Sequence, residues 1–153
     1  MSVIANTKLE FSEEQAMLLD VAREFCRDKS PIAAVREELE TDAGFDRAVW
    51  DEMVNLGWAG ISLPESAGGS AMGVASVVPV VESMGRGMLG TPLISTTLAG
   101  QLAVRAGGEE RWDELLSDIA EGVPATVAML ENADWGDETI SVALSADGVL
   151  SGS

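Results

Sequence analysis

The sequence has no histidine, no tyrosine and a single cysteine, Cys26. Without imidazole there is no Ser-His or Cys-His nucleophile system and no imidazole metal ligand. One thiol makes neither an intramolecular disulfide nor a cysteine-rich zinc cage, which fits a reducing compartment. Basic residues are scarce: 9 Lys and Arg stand against 26 Asp and Glu, a net charge of -17. Such a chain repels phosphate backbones and anionic lipid, so no nucleic-acid or membrane-surface partner is expected; its plain consequence is solubility. Long apolar runs are also lacking. The longest, Val77-Val78-Pro79-Val80-Val81, is broken by proline and far short of the roughly 18 residues that span a bilayer. Met1 to Lys8 has no basic region followed by an apolar core, so no secretory signal is read there and a cytoplasmic protein is expected.

What is present suits a folding chain. It has 153 residues, 46% of them hydrophobic. A chain of this size hides roughly 70% of its unfolded surface. Ser12 with Gln15 three residues later forms a capping box, and Leu18, Val21, Ala22 and Phe25 follow at helical spacing. Glu13 and Glu14 in the first turn, with Arg27 and Lys29 in the last, complement the helix dipole. Ser30-Pro31 ends this helix or turns the chain into a short polar one over Ile32 to Glu40. The next helix is read from about Asp46 to Leu56, with Val49, Trp50, Met53 and Val54 on one face and Gly57 as its C-cap.

Glycines and a proline make Gly57 to Gly69 a loop. Val74, Val77, Val78, Val81 and Met84 return to helical spacing, and Pro79 implies a kink or a helix that begins there. Gly85-Arg86-Gly87 ends it. Pro92 opens a helix with Leu98, Leu102 and the small residues Ala99, Gly100 and Ala103, closed by Gly107-Gly108. Glu109 starts another, with Trp112, Leu115, Leu116 and Ile119 on one stripe and Gly122 at its end. Then the period changes. Ala125 to Leu130 reads as a buried strand, and Ile140 to Leu144 alternates as a half-buried one does. Asp147-Gly148 signals a hairpin turn into Val149-Leu150. The order predicts a mainly α chain: a helical domain over residues 1–122, then over 123–153 the opening of a truncated β domain.

Local chemistry is sparse. Glu37, Glu38, Glu40 and Asp42 read as a solvated face. Asp134, Asp137 and Glu138 share a loop without EF-hand spacing, so a solvated turn is preferred to a cation site. Cys26 beside Phe25 reads as a buried structural thiol. Trp50, Trp58 and Trp112 sit where packing explains them; Trp135 lies in a polar loop. Gly68-Gly69 and Gly85-Arg86-Gly87 lack the spacing of phosphate loops. No catalytic residue and no metal ligand is assigned.

Several motifs nevertheless resemble the N-terminal part of the acyl-CoA dehydrogenase family. The most specific is Gly57-Trp58-Ala59-Gly60-Ile61-Ser62-Leu63-Pro64-Glu65, closed by Gly68-Gly69, which is similar to that family's Gly-Trp-x-Gly-Ile-x-x-Pro-Glu-x-x-Gly-Gly loop. Phe11 to Gln15, Val81 to Arg86, Glu121-Gly122 and Asp147 to Gly152 support it. The resemblance implies a helical N-terminal domain followed by a β middle domain. It implies a flavin (FAD) enzyme that dehydrogenates an acyl-CoA thioester. A carboxylate removes the α proton while the β hydride passes to flavin N5, and the thioester oxygen is held as charge develops.

In the family that carboxylate lies in a C-terminal helical domain, so no catalytic base falls here. Flavin contacts begin after the first middle-domain strand, which points to Met129, Leu130 and Glu131 as cofactor-binding residues. There Leu130-Glu131-Asn132 replaces the usual Thr-Glu-Pro, so Leu130 removes a flavin-bonding hydroxyl and leaves backbone contacts. The wall of the acyl pocket falls on Thr91 to Leu98, with Ser95 and Leu98 as candidate substrate contacts and core packing as their competing role. The implied partners are an acyl-CoA, electron-transfer flavoprotein and further family subunits in a homo- or hetero-oligomer. The alternatives are a non-catalytic subunit of a heteromeric dehydrogenase and a stand-alone helical interaction domain.

Overall fold

Ser12 starts the first helix as a capping box: its hydroxyl accepts the Gln15 N–H at 3.2 Å, and the Gln15 side chain accepts the Ser12 N–H at 3.1 Å. The computed structural model describes residues 11–107, 109–128 and 142–152. Helix α1 spans Glu13–Lys29, α2 Ile32–Glu38 and α3 Arg47–Asn55. Three short 3-10 turns follow at Trp58–Gly60, Glu65–Ala67 and Val74–Ser76, then α4 Val78–Gly87, α5 Leu93–Ala106 and α6 Glu109–Ala120. A two-residue ladder, β1 Ala143–Leu144 with β2 Leu150–Ser151, pairs antiparallel with Ala143 opposite Ser151. The chain is mainly α, a helical domain followed by the first strands of a β domain.

The main core joins α1, α3 and α4. Ala22, Cys26, Trp50, Met53, Trp58, Val80, Met84 and Leu93 are all buried in it. Gly87 lets α1 and α4 approach closely, since a Cβ there would sit 3.1 Å from that of Cys26. The Ser30 hydroxyl ties the same crossing by donating to the Gly87 carbonyl at 2.7 Å. A second cluster, Leu63, Ala67, Ala103, Leu116 and Ile119, lies beneath α5 and α6. The buried Trp50 indole N–H donates to the Gly122 carbonyl at 2.8 Å, so α3 anchors the exit of α6.

Several expectations change. On α1 the buried line is Leu19, Ala22 and Cys26, with Val21 left 46% exposed. Of the two outcomes expected at Pro79 the structure has the second, a helix that begins there: Pro79 lies in the first turn of α4, where its missing N–H costs no helical bond. Gly85-Arg86-Gly87 ends that helix as expected, forming its last turn, and Met88 caps it in the left-handed region at φ 56°. The segment Gly57 to Gly69 is a loop by sequence yet buries Trp58, Ile61 and Leu63. Its backbone bonds are made within itself, as when Gly69 N–H donates to the Pro64 carbonyl at 3.0 Å.

Leu98 and Leu102 of α5 are 60% and 56% exposed, so neither is core. The small residues Ala99, Gly100 and Ala103, with Thr96 and Thr97, take the buried face instead. Within the expected strand at 125–130, residues 125–128 form no strand; 129 and 130 lie outside the described residues. Ala125 bonds a helix side chain rather than a neighbouring strand. Of the expected strand at 140–144, residues 140 and 141 lie outside the described residues; Ala143–Leu144 is exposed rather than half buried, with Leu144 at 69%, because the ladder has no covering face among the described residues. The turn is as expected: Gly148, at φ 78°, donates to the Ser145 carbonyl at 3.0 Å. Trp135 and the acidic loop 134–138 lie outside the described residues.

Candidate functional site

Helix α4 carries more apolar residues than one buried face uses. Val77 just before it, with Val80 and Met84, is buried in the core; Val74 in the preceding turn and Val78 line a cleft toward α5, and Val77 and Val81 serve both. Ile94, Thr97 and Leu98 on α5 complete an open cleft of about 360 Å³. Val78 and Ile94 stand 50% and 51% exposed on its rim. Glu82 is the one charged residue beside it, and its carboxylate is held by Arg86 at 2.8 Å. The cleft therefore offers a ligand aliphatic contact and almost no hydrogen bonding. β-Branched walls are stiff at χ1 and lose little freedom when a ligand packs on them.

A second cleft of about 490 Å³ lies on the other side of α5. Ala99, Leu102 and Ala106 of α5, Trp112 and Leu115 of α6, and Thr126, Val127 and Ala128 line it. The Trp112 indole N–H is already given to the Gly107 carbonyl at 3.2 Å. A third groove, about 400 Å³, runs between Met17 and Val21 of α1 and the Leu56 and Met72 side chains. Glu14 borders it. Hydrogen bonds from its own backbone N–H and then from Ser12 hold that carboxyl below the usual carboxylate range.

Two other groups are perturbed. Burial pushes the Cys26 thiol up, which removes it as a nucleophile near neutrality. Glu38 is also raised, first by burial and then by the Asp46 charge. Among the described residues no cluster of three or more His, Cys, Asp or Glu side chains is placed to hold a metal ion. No helix among them is long and apolar enough to cross a membrane.

The structure places Leu98 on the rim of the α4–α5 cleft. Ser95 is one turn earlier on α5 but does not line the cleft; its hydroxyl donates to the Pro92 carbonyl at 3.0 Å. Met129, Leu130 and Glu131 lie outside the described residues. The residues leading to them supply the second cleft with one exposed hydroxyl, Thr126, and otherwise apolar side chains. Ile94 falls within the expected wall Thr91 to Leu98, whereas Val74, Val78 and Val81 were missed as site residues because helical spacing reads as a packed face. The available signal was a stretch apolar on two faces, which a half-buried helix does not need.

Residues 12–123 match the acyl-CoA dehydrogenase N-terminal domain, and the chain belongs to that family. Among relatives, it is 30% identical to the acyl-CoA dehydrogenase IpdE2 of Mycobacterium tuberculosis, over 84% of this chain and 42% of that one. IpdE2 of Mycolicibacterium smegmatis is 29% identical, over 90% and 43%. Of solved structures, a Tcur3481-Tcur3483 steroid acyl-CoA dehydrogenase variant superposes with a TM-score of 0.64 at 28% identity, covering 72% of this chain and 30% of that chain. The ChsE4-ChsE5 complex from Mycobacterium tuberculosis gives 0.67 at 20% identity, over 76% and 32%, a likeness of fold alone. The chain spans under half the length of these relatives.

Proposed function

We propose that this chain is the helical part of a flavin-dependent acyl-CoA dehydrogenase, an oxidoreductase that introduces a double bond into an acyl thioester, and that it is not catalytically complete alone. The observation that carries this reading is the apolar cleft between α4 and α5 on a family scaffold. Its work is binding and water exclusion. Leu98, with Val78 and Ile94, contacts the acyl group, and each buried methylene contributes about 0.8 kcal/mol. Ser95, whose hydroxyl is given to the Pro92 carbonyl, is proposed to act on the substrate only by supporting the first turn of α5. A bulky acyl group suits an open cleft with aliphatic walls, and the steroid enzyme among the structural relatives is in keeping with that.

FAD, when bound, accepts the β hydride. Met129, Leu130 and Glu131 are proposed to meet it through their backbone. The carboxylate that removes the α proton belongs to another part of the enzyme. Residues 1–122 and 123–153 are proposed as separate folding units, helical and β. Electron-transfer flavoprotein is the proposed electron acceptor, and the cytoplasm the proposed compartment.

The gene product is purified with whatever subunit accompanies it, and anaerobic bleaching of its flavin is followed with acyl-CoA thioesters of increasing bulk. Bleaching is expected, and Leu98→Ala is expected to raise KM severalfold with kcat nearly kept. No flavin and no acyl-CoA oxidation would sink the reading.

A second reading, a non-catalytic subunit beside a catalytic relative, is favoured by Leu130-Glu131-Asn132, which lacks the hydroxyl and proline of the family pattern. The ChsE4-ChsE5 complex is a precedent for assembly from two components. Flavin bound by this subunit when purified alone would count against it.

A further inference from the structure

Helix α5 is shared by two clefts. Ile94, Thr97 and Leu98 face the one against α4, and Ala99, Leu102 and Ala106 face the one against α6 and residues 126–128. Between these faces lies Thr96, wholly buried. Its hydroxyl accepts the Ala125 N–H at 3.1 Å and lies 3.3 Å from the Ala125 carbonyl, to which it donates. A single side chain thus satisfies both backbone groups of the first residue after Pro124. A strand neighbour would normally do this through two separate groups. No other side chain among the described residues bonds the backbone of residues 123–128.

We propose that Thr96 is a positioning residue: it fixes the path of residues 125–128 against α5, and so shapes the wall that Thr126, Val127 and Ala128 give to the cleft between α5 and α6. Trp50 holds the preceding residue pair through the Gly122 carbonyl, but its bond leaves Ala125 free to rotate away. Thr96 removes that freedom. Its side chain is nearly isosteric with valine, so packing and positioning are separable. Thr96→Val keeps the volume and loses both hydrogen bonds. Thr96→Ser keeps both.

The inference rests on the proposed dehydrogenase reading only where turnover is measured. In the full chain, amide hydrogen exchange at Ala125 is expected to rise at least tenfold in Thr96→Val, with protection in α1 and α4 unchanged, and to return toward wild type in Thr96→Ser. In the assembled enzyme, kcat is expected to fall with KM for the acyl-CoA unchanged, because Ile94 and Leu98 are untouched; Thr96→Ser is expected to restore it. Should Thr96→Val lose its fold by pressing a methyl on the Ala125 N–H, Thr96→Ala removes the hydroxyl without that methyl and takes the same measurements. Unchanged exchange at Ala125 in the folded variant overturns the proposal. So does a rise in KM with kcat kept, which would make Thr96 part of the acyl wall. A wild-type assembly that oxidises no acyl-CoA would defeat the dehydrogenase reading instead, and exchange alone would then judge Thr96.

Discussion

Gly69 shows how tightly one residue is specified. A Cβ on it would collide with the Leu63 carbonyl, with the carbonyl carbon only 2.6 Å away. That obstacle is backbone, held in turn by the Ala71 N–H at 2.8 Å, so it has nowhere to move. Gly69→Ala is expected to destabilise by about 3 kcal/mol or more, the upper range for overpacking, measured as the shift in urea midpoint. Gly57, in the same motif, has an open surrounding and needs only its positive φ. Glu38 gives a residue-scale prediction of opposite sign. Its carboxyl is raised, so the folded state disfavours its charge and binds its proton more tightly than the unfolded chain does. That contribution favours folding below the ordinary carboxylate range and is lost as pH rises through the raised value. Glu38→Gln is therefore expected to melt higher than wild type at pH 7, with the gain vanishing near pH 3.

At the scale of elements, a left-handed cap on α4 is filled by Met88, φ 56°, where glycine is the usual choice. The side chain is 57% exposed and brings little packing in return. Met88→Gly is expected to stabilise by about 1 kcal/mol, seen as a higher thermal midpoint with α4 otherwise unaltered. Elements whose ends carry local chemistry were legible in the sequence. Ser12 with Gln15 marked the start of α1, and Gly57 and Gly122 the ends of α3 and α6. Contacts set by packing were not. Gly85 and Gly87 did mark the end of α4, but their spacing said nothing of the close approach of Cys26 that Gly87 permits. Leu98 looked like core because spacing cannot tell which of two apolar faces a neighbour covers. The opening strand at 125 was misread because its first partner is a threonine on a helix, a contact no local pattern encodes. The candidate site shares this limit: the family loop was legible, but the α4–α5 cleft exists only once two helices are packed.

At the scale of the molecule, the charge of -17 leaves most carboxylates without a cation to offset them, and Lys29 of α1 with Glu52 of α3, at 2.6 Å, is an ion pair between helices. Arg27 with Glu24, Arg47 with Asp51 and Arg86 with Glu82 are exposed pairs along one helix, each of small worth. The surplus carboxylates repel one another across the fold. Salt screens that repulsion over about 8–10 Å near physiological strength. Raising sodium chloride from 10 to 200 mM, as round conditions on the order used for such screening, is expected to raise the thermal midpoint. Each 1 kcal/mol of relieved repulsion is worth about 2–4 °C for a chain of this size. A midpoint that falls with salt would show that the surface pairs dominate instead.

The thiol sealed between α1 and Gly87 has one more consequence. With it pushed upward by burial and no imidazole in the sequence, neither a thiol nor a histidine of residues 1–153 offers proton exchange near neutrality. A bell-shaped rate profile centred near pH 7 in an assembled enzyme would therefore be a signature of groups contributed from elsewhere. The pH axis becomes a way of reading whether the chemistry comes from outside residues 1–153.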